Sequence, residues 1–246
     1  MRRLHPDPAD PVDPLEVYGD APTAEGRPGL RINMIASADG AAAVDGVSGG
    51  LGGEGDRAVF RALRSLADVV LVGAGTVRAE GYGPPRLPDE AVAARERRGQ
   101  APLPRIAIVT RSCDLDWDSP LFATPTSRPI VLTVAEAPAE RLARAAEVAE
   151  VVVAGLLDVD LPKALAMLGE GGARTALGEG GPSLNGRLAA AGLVDELCLT
   201  LAPLLAAGDA GRIVAGPALR PPLGMRLASA CEQDGYLFLR YRAAPA

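Results

Sequence analysis

The sequence predicts an α/β fold built on a mostly parallel sheet with an antiparallel C-terminal edge. Three observations carry this. Short apolar runs alternate with helix-like stretches along most of the chain, the pattern of parallel strands joined by crossover helices. Runs such as "DVVLVG", Asp68–Gly73, are apolar without alternation, as strands buried on both faces are. The last two strand-like runs, in "LGMRLASACEQDGYLFLRYRA", are joined by a turn at Gln233–Gly235 with no helix between them, which reads as a hairpin.

The elements follow in order. Residues 1–29 are rich in Pro, Asp and Gly and read as an N-terminal arm, draped on the surface or partly disordered; pairing at a dimer interface is the alternative. Residues 30–246 read as a single domain. The first strand is Leu30–Ser37. A glycine-rich loop follows, with a short strand at Ala41–Val44. A helix over about Asp56–Ala67 has Val59, Phe60, Leu63 and Leu66 on one face and Arg57, Arg61 and Arg64 on another. After Asp68–Gly73 comes a glycine turn with one helical turn near Thr76–Glu80. "DEAVAARERRG" reads as an exposed helix or mobile insertion. Strands are expected at Arg105–Thr110 and Pro129–Val134, then helix "PAERLARAAE", strand "VAEVVVAG" and helix "DLPKALAMLGEGG", closed by glycines. A short strand ends at Gly178, "PSLNGRLAAAG" is a helix, and Val194–Pro203 is a long strand.

Composition narrows the chemistry. The net charge is −6 and aromatics are 3%, which argues against a basic, base-stacking nucleic-acid surface. Cys113, Cys198 and Cys231 are far apart with no CxxC pair, so neither a disulfide framework nor a zinc site is expected. The single histidine, His5, lies in the proline-rich arm, so any acid or base must be another residue type. No apolar run is long enough to span a bilayer, and the N-terminus shows no apolar signal core. A cytoplasmic protein with no metal is the expectation.

Four stretches could carry function. "EGGP" at Glu179–Pro182 follows a strand and precedes a helix. Pro182 suits the first helical position, and the helix start presents unpaired N–H groups to an anion. A tight turn without ligand explains the same residues, and the residues alone leave both open. "LVGAGTVRAEG" lacks the glycine spacing of a dinucleotide fingerprint and the GK[ST] of a P-loop; it is a glycine turn exposing Thr76 at a strand end. The Arg57/Arg61/Arg64 stripe is a solvated face or, at Arg64, a phosphate contact. "VTRSCDLD" is a polar turn or a place for a 2′-phosphate.

"MIASADG", "LRSLADVVLVGAGTVRAE" and "GEGGPSLNGRLAAAGLVDELCLTLAPLL", in that order, resemble the reductase domain of bacterial riboflavin-biosynthesis deaminase-reductases and the stand-alone pyrimidine reductases related to it. The resemblance runs from about Leu30 to the C-terminus. It implies a dihydrofolate-reductase-like fold, a homodimer, and NADPH-dependent reduction of 5-amino-6-(5-phosphoribosylamino)uracil to its ribitylamino form. Carried over, it puts the NADPH pyrophosphate on Gly180–Arg187, with Gly180, Gly181, Pro182, Ser183 and Leu184 at its start. Ala36, Gly50, Thr76, Glu80, Ser112 and Val153 would touch the cofactor elsewhere. Ser48, Arg64, Arg86 and Glu179 would contact substrate. With no histidine in the core, Glu80 or Asp39, or water held by one of them, is the candidate proton donor. The deaminase half needs zinc ligands of the HxE and PCxxC type; this sequence has none, so a separate deaminase is implied. Two features depart from the family pattern. No lysine lies near Asn33–Ala36, and "AEGYGPPR" replaces the usual aspartate-bearing loop, so that Glu80 stands for an aspartate. Both changes lie on the substrate side. A dihydrofolate or pterin reductase of the same fold is the first alternative. The long helix, however, begins with Asp56 and bears Arg57, Arg61 and Arg64, which favours a phosphorylated substrate. A NADP-binding regulatory protein without turnover is the second.

Overall fold

A computed structural model describes residues 1–44, 46–123 and 126–244. In chain order, the elements begin with β1 (Arg2–His5), α1 (Pro14–Tyr18), β2 (Gly29–Ser37), α2 (Glu54–Leu66), β3 (Val69–Gly73) and α3 (Ala74–Glu80). They continue with α4 (Asp89–Arg97), β4 (Arg105–Val109), α5 (Pro120–Ala123), β5 (Ile130–Thr133), α6 (Ala139–Val148) and β6 (Glu150–Val153). The chain then forms α7 (Leu161–Glu170), β7 (Thr175–Gly178), α8 (Pro182–Ala190), β8 (Glu196–Ala202), β9 (Met225–Gln233) and β10 (Tyr236–Ala243). The chain divides into two compact units: Met1–Pro22, Leu30–Leu66 and Gly178–Ala246 in the first, Thr23–Gly29 and Ala67–Leu177 in the second.

In the first unit the strand order is β1-β9-β10-β8-β2. β2 and β8 are parallel, with Arg31 opposite Glu196 and Ala36 opposite Leu201. β8, β10, β9 and β1 are antiparallel neighbours. The C-terminal hairpin thus has the expected form. α2 is amphipathic and buries Gly55, Val59, Ala62 and Leu63. Gly55 is a packing requirement: a Cβ there would come within 2.7 Å of the Phe238 ring.

Residues 1–22 are an ordered part of this unit, not a draped arm. β1 pairs with β9 in the same chain. Asp13 caps α1, accepting from Leu15 N at 2.7 Å, and Pro14 occupies the first helical position, where its missing N–H costs nothing. Tyr18 is 1% exposed. The segment is held by buried arginines: Arg31 donates to Tyr18 O at 2.9 Å and Arg240 to Val17 O at 2.8 Å. Both arginines pair with the fully buried Glu196, at 3.1 and 2.8 Å.

In the second unit the order is β7-β3-β4-β5-β6, with β3 through β6 parallel. Their carboxyl ends, Gly73, Val109, Thr133 and Val153, therefore share one edge, where ligands of open α/β sheets bind. α4 is anchored, not a free insertion: Arg95 is fully buried and donates to Ala67 O at 2.6 Å and Ala101 O at 2.8 Å. Between β2 and α2 the expected short strand is reduced to an isolated Val44–Val47 bridge. Among the described residues no helix is long and apolar enough to cross a membrane.

Candidate active site

In the first unit the start of α8 is one candidate feature. β7 ends at Gly178, where a Cβ would meet Ile32 Cγ2 at 2.9 Å. Gly180 has φ +99° and is joined to Gly181 by a cis peptide, so the turn uses a backbone region that side chains disfavour. Gly181 is the N-cap of α8, makes no side-chain cap bond, and the first turn holds no acidic residue. Pro182 has no N–H, which leaves the amides of Ser183 and Leu184 as the donors of the first turn. Ser183 is exposed and Leu184 buried. This end of the helix fits an anion.

The 203–224 connection positions α8. Ala215 N donates to Pro182 O at 3.0 Å, and the Asn185 side chain donates to Ile213 O at 2.9 Å. A Cβ on Gly186 would lie 1.9 Å from Ala215 O. Asn185 is fully buried, and its Oδ1 has no hydrogen-bond partner. Asn185 and Gly186 lie within the expected Gly180–Arg187 span but were not singled out in it; the signal was a polar residue and a glycine inside a helix, both disfavoured there on propensity alone.

Asp39 holds the other end of the same connection. Its carboxylate accepts from the Ser37 hydroxyl, from Ala206 N at 3.1 Å and from Ala207 N at 2.7 Å. The Ser37 hydroxyl first, then these amides, hold its carboxyl down at about 2. Its contacts are those of a loop anchor. Ala36, at the end of β2, is 5% exposed; Ser48 is half-buried, and Gly50 is exposed in a 3-10 turn over Gly49–Leu51.

Arg64 and Glu179 are brought together. Arg64 Nε and Nη2 donate to the two Glu179 carboxylate oxygens, each at 2.7 Å. The side chains are 19% and 3% exposed, and the guanidinium stands 4.2 Å over the Phe60 ring. The arginine stripe therefore splits: Arg57 and Arg61 are exposed, while Arg64 turns inward. Its Nε–Nη2 edge is engaged by a carboxylate.

In the second unit the candidates stand separately. Thr76 is half-buried in the first turn of α3, and Glu80 is the exposed last residue of that helix, before Gly81 at φ +61°. Arg86 is exposed. Ser112 is exposed just after β4, its carbonyl accepting from Arg141 Nη1 at 3.2 Å. Val153, ending β6, is 42% exposed. Thr76, Ser112 and Val153 follow or end parallel strands at the shared carboxyl edge.

The RibD C-terminal domain family matches residues 28–237. The chain belongs to that family. A 2,5-diamino-6-ribosylamino-4(3H)-pyrimidinone 5′-phosphate reductase of Methanothermobacter thermautotrophicus is 35% identical over 193 residues, 77% of this chain and 85% of the relative. The protein of the same name from Archaeoglobus fulgidus is 31% identical over 186 residues, 74% and 83% of the two chains. A solved pyrimidine reductase-like protein from Corynebacterium diphtheriae superposes with a TM-score of 0.85 at 30% identity, covering 96% of this chain and all of that one. The RibD resemblance and the α/β fold read from the sequence both hold. The matched span starts at Pro28, so the β1 and α1 segment lies outside it.

Proposed function

We propose that this RibD-family chain is an NADPH-dependent reductase of riboflavin biosynthesis. It converts the ribosylamino group of a 6-ribosylaminopyrimidine 5′-phosphate to the ribitylamino group. One observation carries the reading: an uncapped, acid-free start of α8, delivered by Gly180–Gly181, stands directly after a buried Glu179–Arg64 pair. An anion-binding helix end and a built polar site are thus adjacent in sequence, within a family whose matched relatives are named reductases. The heterocycle in those names is the 2,5-diamino-pyrimidinone; the uracil form is the other substrate of this reading.

NADPH, when bound, supplies a hydride. The chain's own part is position and electrostatics. The amides of Ser183 and Leu184 and the helix dipole hold the pyrophosphate. Thr76, Ser112, Val153, Ala36 and Gly50 keep the cofactor roles implied by the resemblance, as do Ser48 and Arg86 on the substrate side. Arg64 and Glu179 fix one another and present a rigid polar face to the substrate. Glu80, exposed at the end of α3, is the proton source of this reading, directly or through water; Asp39 is a positioning residue. The chain has no resident metal in this scheme and works in the cytoplasm beside a separate deaminase.

A homodimer belongs to the same reading. On the face of β8 and β10 opposite Glu196, Thr200 and Phe238 lie Leu197, Leu199, Leu201, Leu237, Leu239 and Tyr241, all partly exposed. A sheet face turned to water normally alternates to polar residues. This one carries no charge among those six, so it can meet a second copy without like-charge contact. Leu199→Lys should give a monomer by sedimentation; an unchanged mass would move the contact elsewhere.

The test of activity is NADPH oxidation by the purified chain with each ribosylaminopyrimidine phosphate, against dihydrofolate. Ribitylamino product supports the reading. Turnover only on dihydrofolate would favour the pterin alternative, and NADPH binding with no turnover the regulatory one.

A further inference from the structure

α8 begins without a side-chain cap of its own: Gly181 offers none, and Pro182 brings no N–H. What fixes this helix start comes from one turn inside it. Asn185 is fully buried, and its Nδ2 donates to Ile213 O at 2.9 Å and to Met34 Sδ of β2 at 3.1 Å. The same sulfur lies 3.8 Å from where a Cβ on Gly180 would stand. One carboxamide thus ties the helix to β2 on one side and to the 203–224 connection on the other, beside the Gly180–Gly181 turn.

The connection is itself a fixed point. Leu204 O accepts from Ala38 N at 2.9 Å, and Gly211 O from Ala42 N at 3.0 Å. Asp39 holds the amides of Ala206 and Ala207. Further along, Ala215 N donates to Pro182 O at 3.0 Å, and Gly186 has no room for a Cβ against Ala215 O. Pro182, Asn185 and Gly186 stand at i, i+3 and i+4, so residues 213–215 grip one face of the helix start.

Packing alone does not call for these residues. Asparagine and glycine are both poor helix formers, yet they stand side by side in a nine-residue helix. A leucine fills a buried position of that size with no polar group to satisfy; Asn185 leaves its Oδ1 without a hydrogen-bond partner. Local departures of this kind concentrate where function sets the residue.

We infer that Asn185 is the positioning residue of the cofactor cradle: by clamping α8 to Ile213 and Met34 it aims the Ser183 and Leu184 amides at the NADPH pyrophosphate, and so sets NADPH affinity. The inference rests on the NADPH site of the reading above. Ser183 and Leu184 are the two residues between Pro182 and Asn185, both gripped by the connection. Backbone donors serve an anion only as well as they are held, and a displacement of about 1 Å forfeits much of the interaction. Asn185 meets no reacting atom in this scheme, so its loss bears on cofactor binding and not on the hydride step.

The experiment is fluorescence titration with NADPH, joined to steady-state kinetics, in the full chain and in Asn185→Leu. The variant removes both donor bonds and adds no charge. Its NADPH Kd should rise by at least about 10-fold, while the pyrimidine KM and the kcat at saturating NADPH stay within about threefold. A purely structural role would lower thermal stability and leave the NADPH Kd of the folded variant unchanged. That result overturns the inference, as does an equal loss for cofactor and substrate. Hydrogen exchange on wild type decides if the variant does not fold. NADPH at about 100 times its Kd should slow exchange of the Ala215 amide by at least about 10-fold, because opening the clamp undoes the bound form. Unchanged exchange at Ala215 overturns the inference. Failure of wild type to bind NADPH overturns the cofactor reading and the inference with it, whereas binding without turnover overturns the reductase reading alone.

Discussion

Arg64 and Glu179 show how one pair can serve both stability and the site. Their bidentate bond is nearly buried on the Glu179 side, at 3% exposure. Removing one partner of such a pair leaves the other charge poorly compensated. Arg64→Ala should destabilise the chain by about 3 kcal/mol in denaturant unfolding and raise the substrate KM. Arg64→Ala with Glu179→Gln should recover part of that stability, because no orphan charge remains. A fully additive double variant would show that the pair is not coupled.

Asp39 makes a different prediction at the same scale. Its carboxyl is held down at about 2, so the folded state favours the ionised form. Whatever this contributes is present above the ordinary carboxylate range and is lost as pH falls toward 2, not as pH rises. Asp39→Asn should speed hydrogen exchange at Ala206 and Ala207, whose amides it binds, and lower turnover only through the loop. Abolished turnover with unchanged exchange would restore Asp39 to the proton step. Glu80→Gln should cut turnover while leaving NADPH affinity within about twofold.

At the scale of elements, α8 and the 203–224 connection act as one piece. Gly180→Ala places a side chain at φ +99°. It should cost about 1 kcal/mol or more of stability and weaken NADPH binding more than substrate binding, read by fluorescence titration. The start of this helix was legible in the sequence because Gly, Gly and Pro each have a local backbone reason to stand there. The partners of Asn185 and Asp39 were not: Ile213 and Ala206 are remote in sequence and give only backbone atoms, which no residue pattern marks.

For the whole chain, the strand and helix alternation from Leu30 onward was readable because apolar periodicity is local. The N-terminal segment was hard to read because the arginines that hold its backbone, on β2 and β10, are remote in sequence. Arg31, Arg240 and Arg242 converge on Glu196 and on Asp20. Burial alone would raise the Asp20 carboxyl, but the bonds and charge of Arg240 and then Arg242 outweigh it and hold it below the ordinary range. Its share of stability is therefore lost on acidification below that range. Glu196→Gln leaves several buried cations with less compensation and should cost about 3–5 kcal/mol.

The measurement that bears most directly on the central claim is product analysis after incubating the purified full chain with NADPH and a 6-ribosylaminopyrimidine 5′-phosphate. The account predicts stoichiometric NADPH oxidation and a ribitylamino product, with much weaker turnover in Gly180→Ala at limiting NADPH. No ribitylamino product from either heterocycle, under conditions where the folded chain binds NADPH, would contradict it.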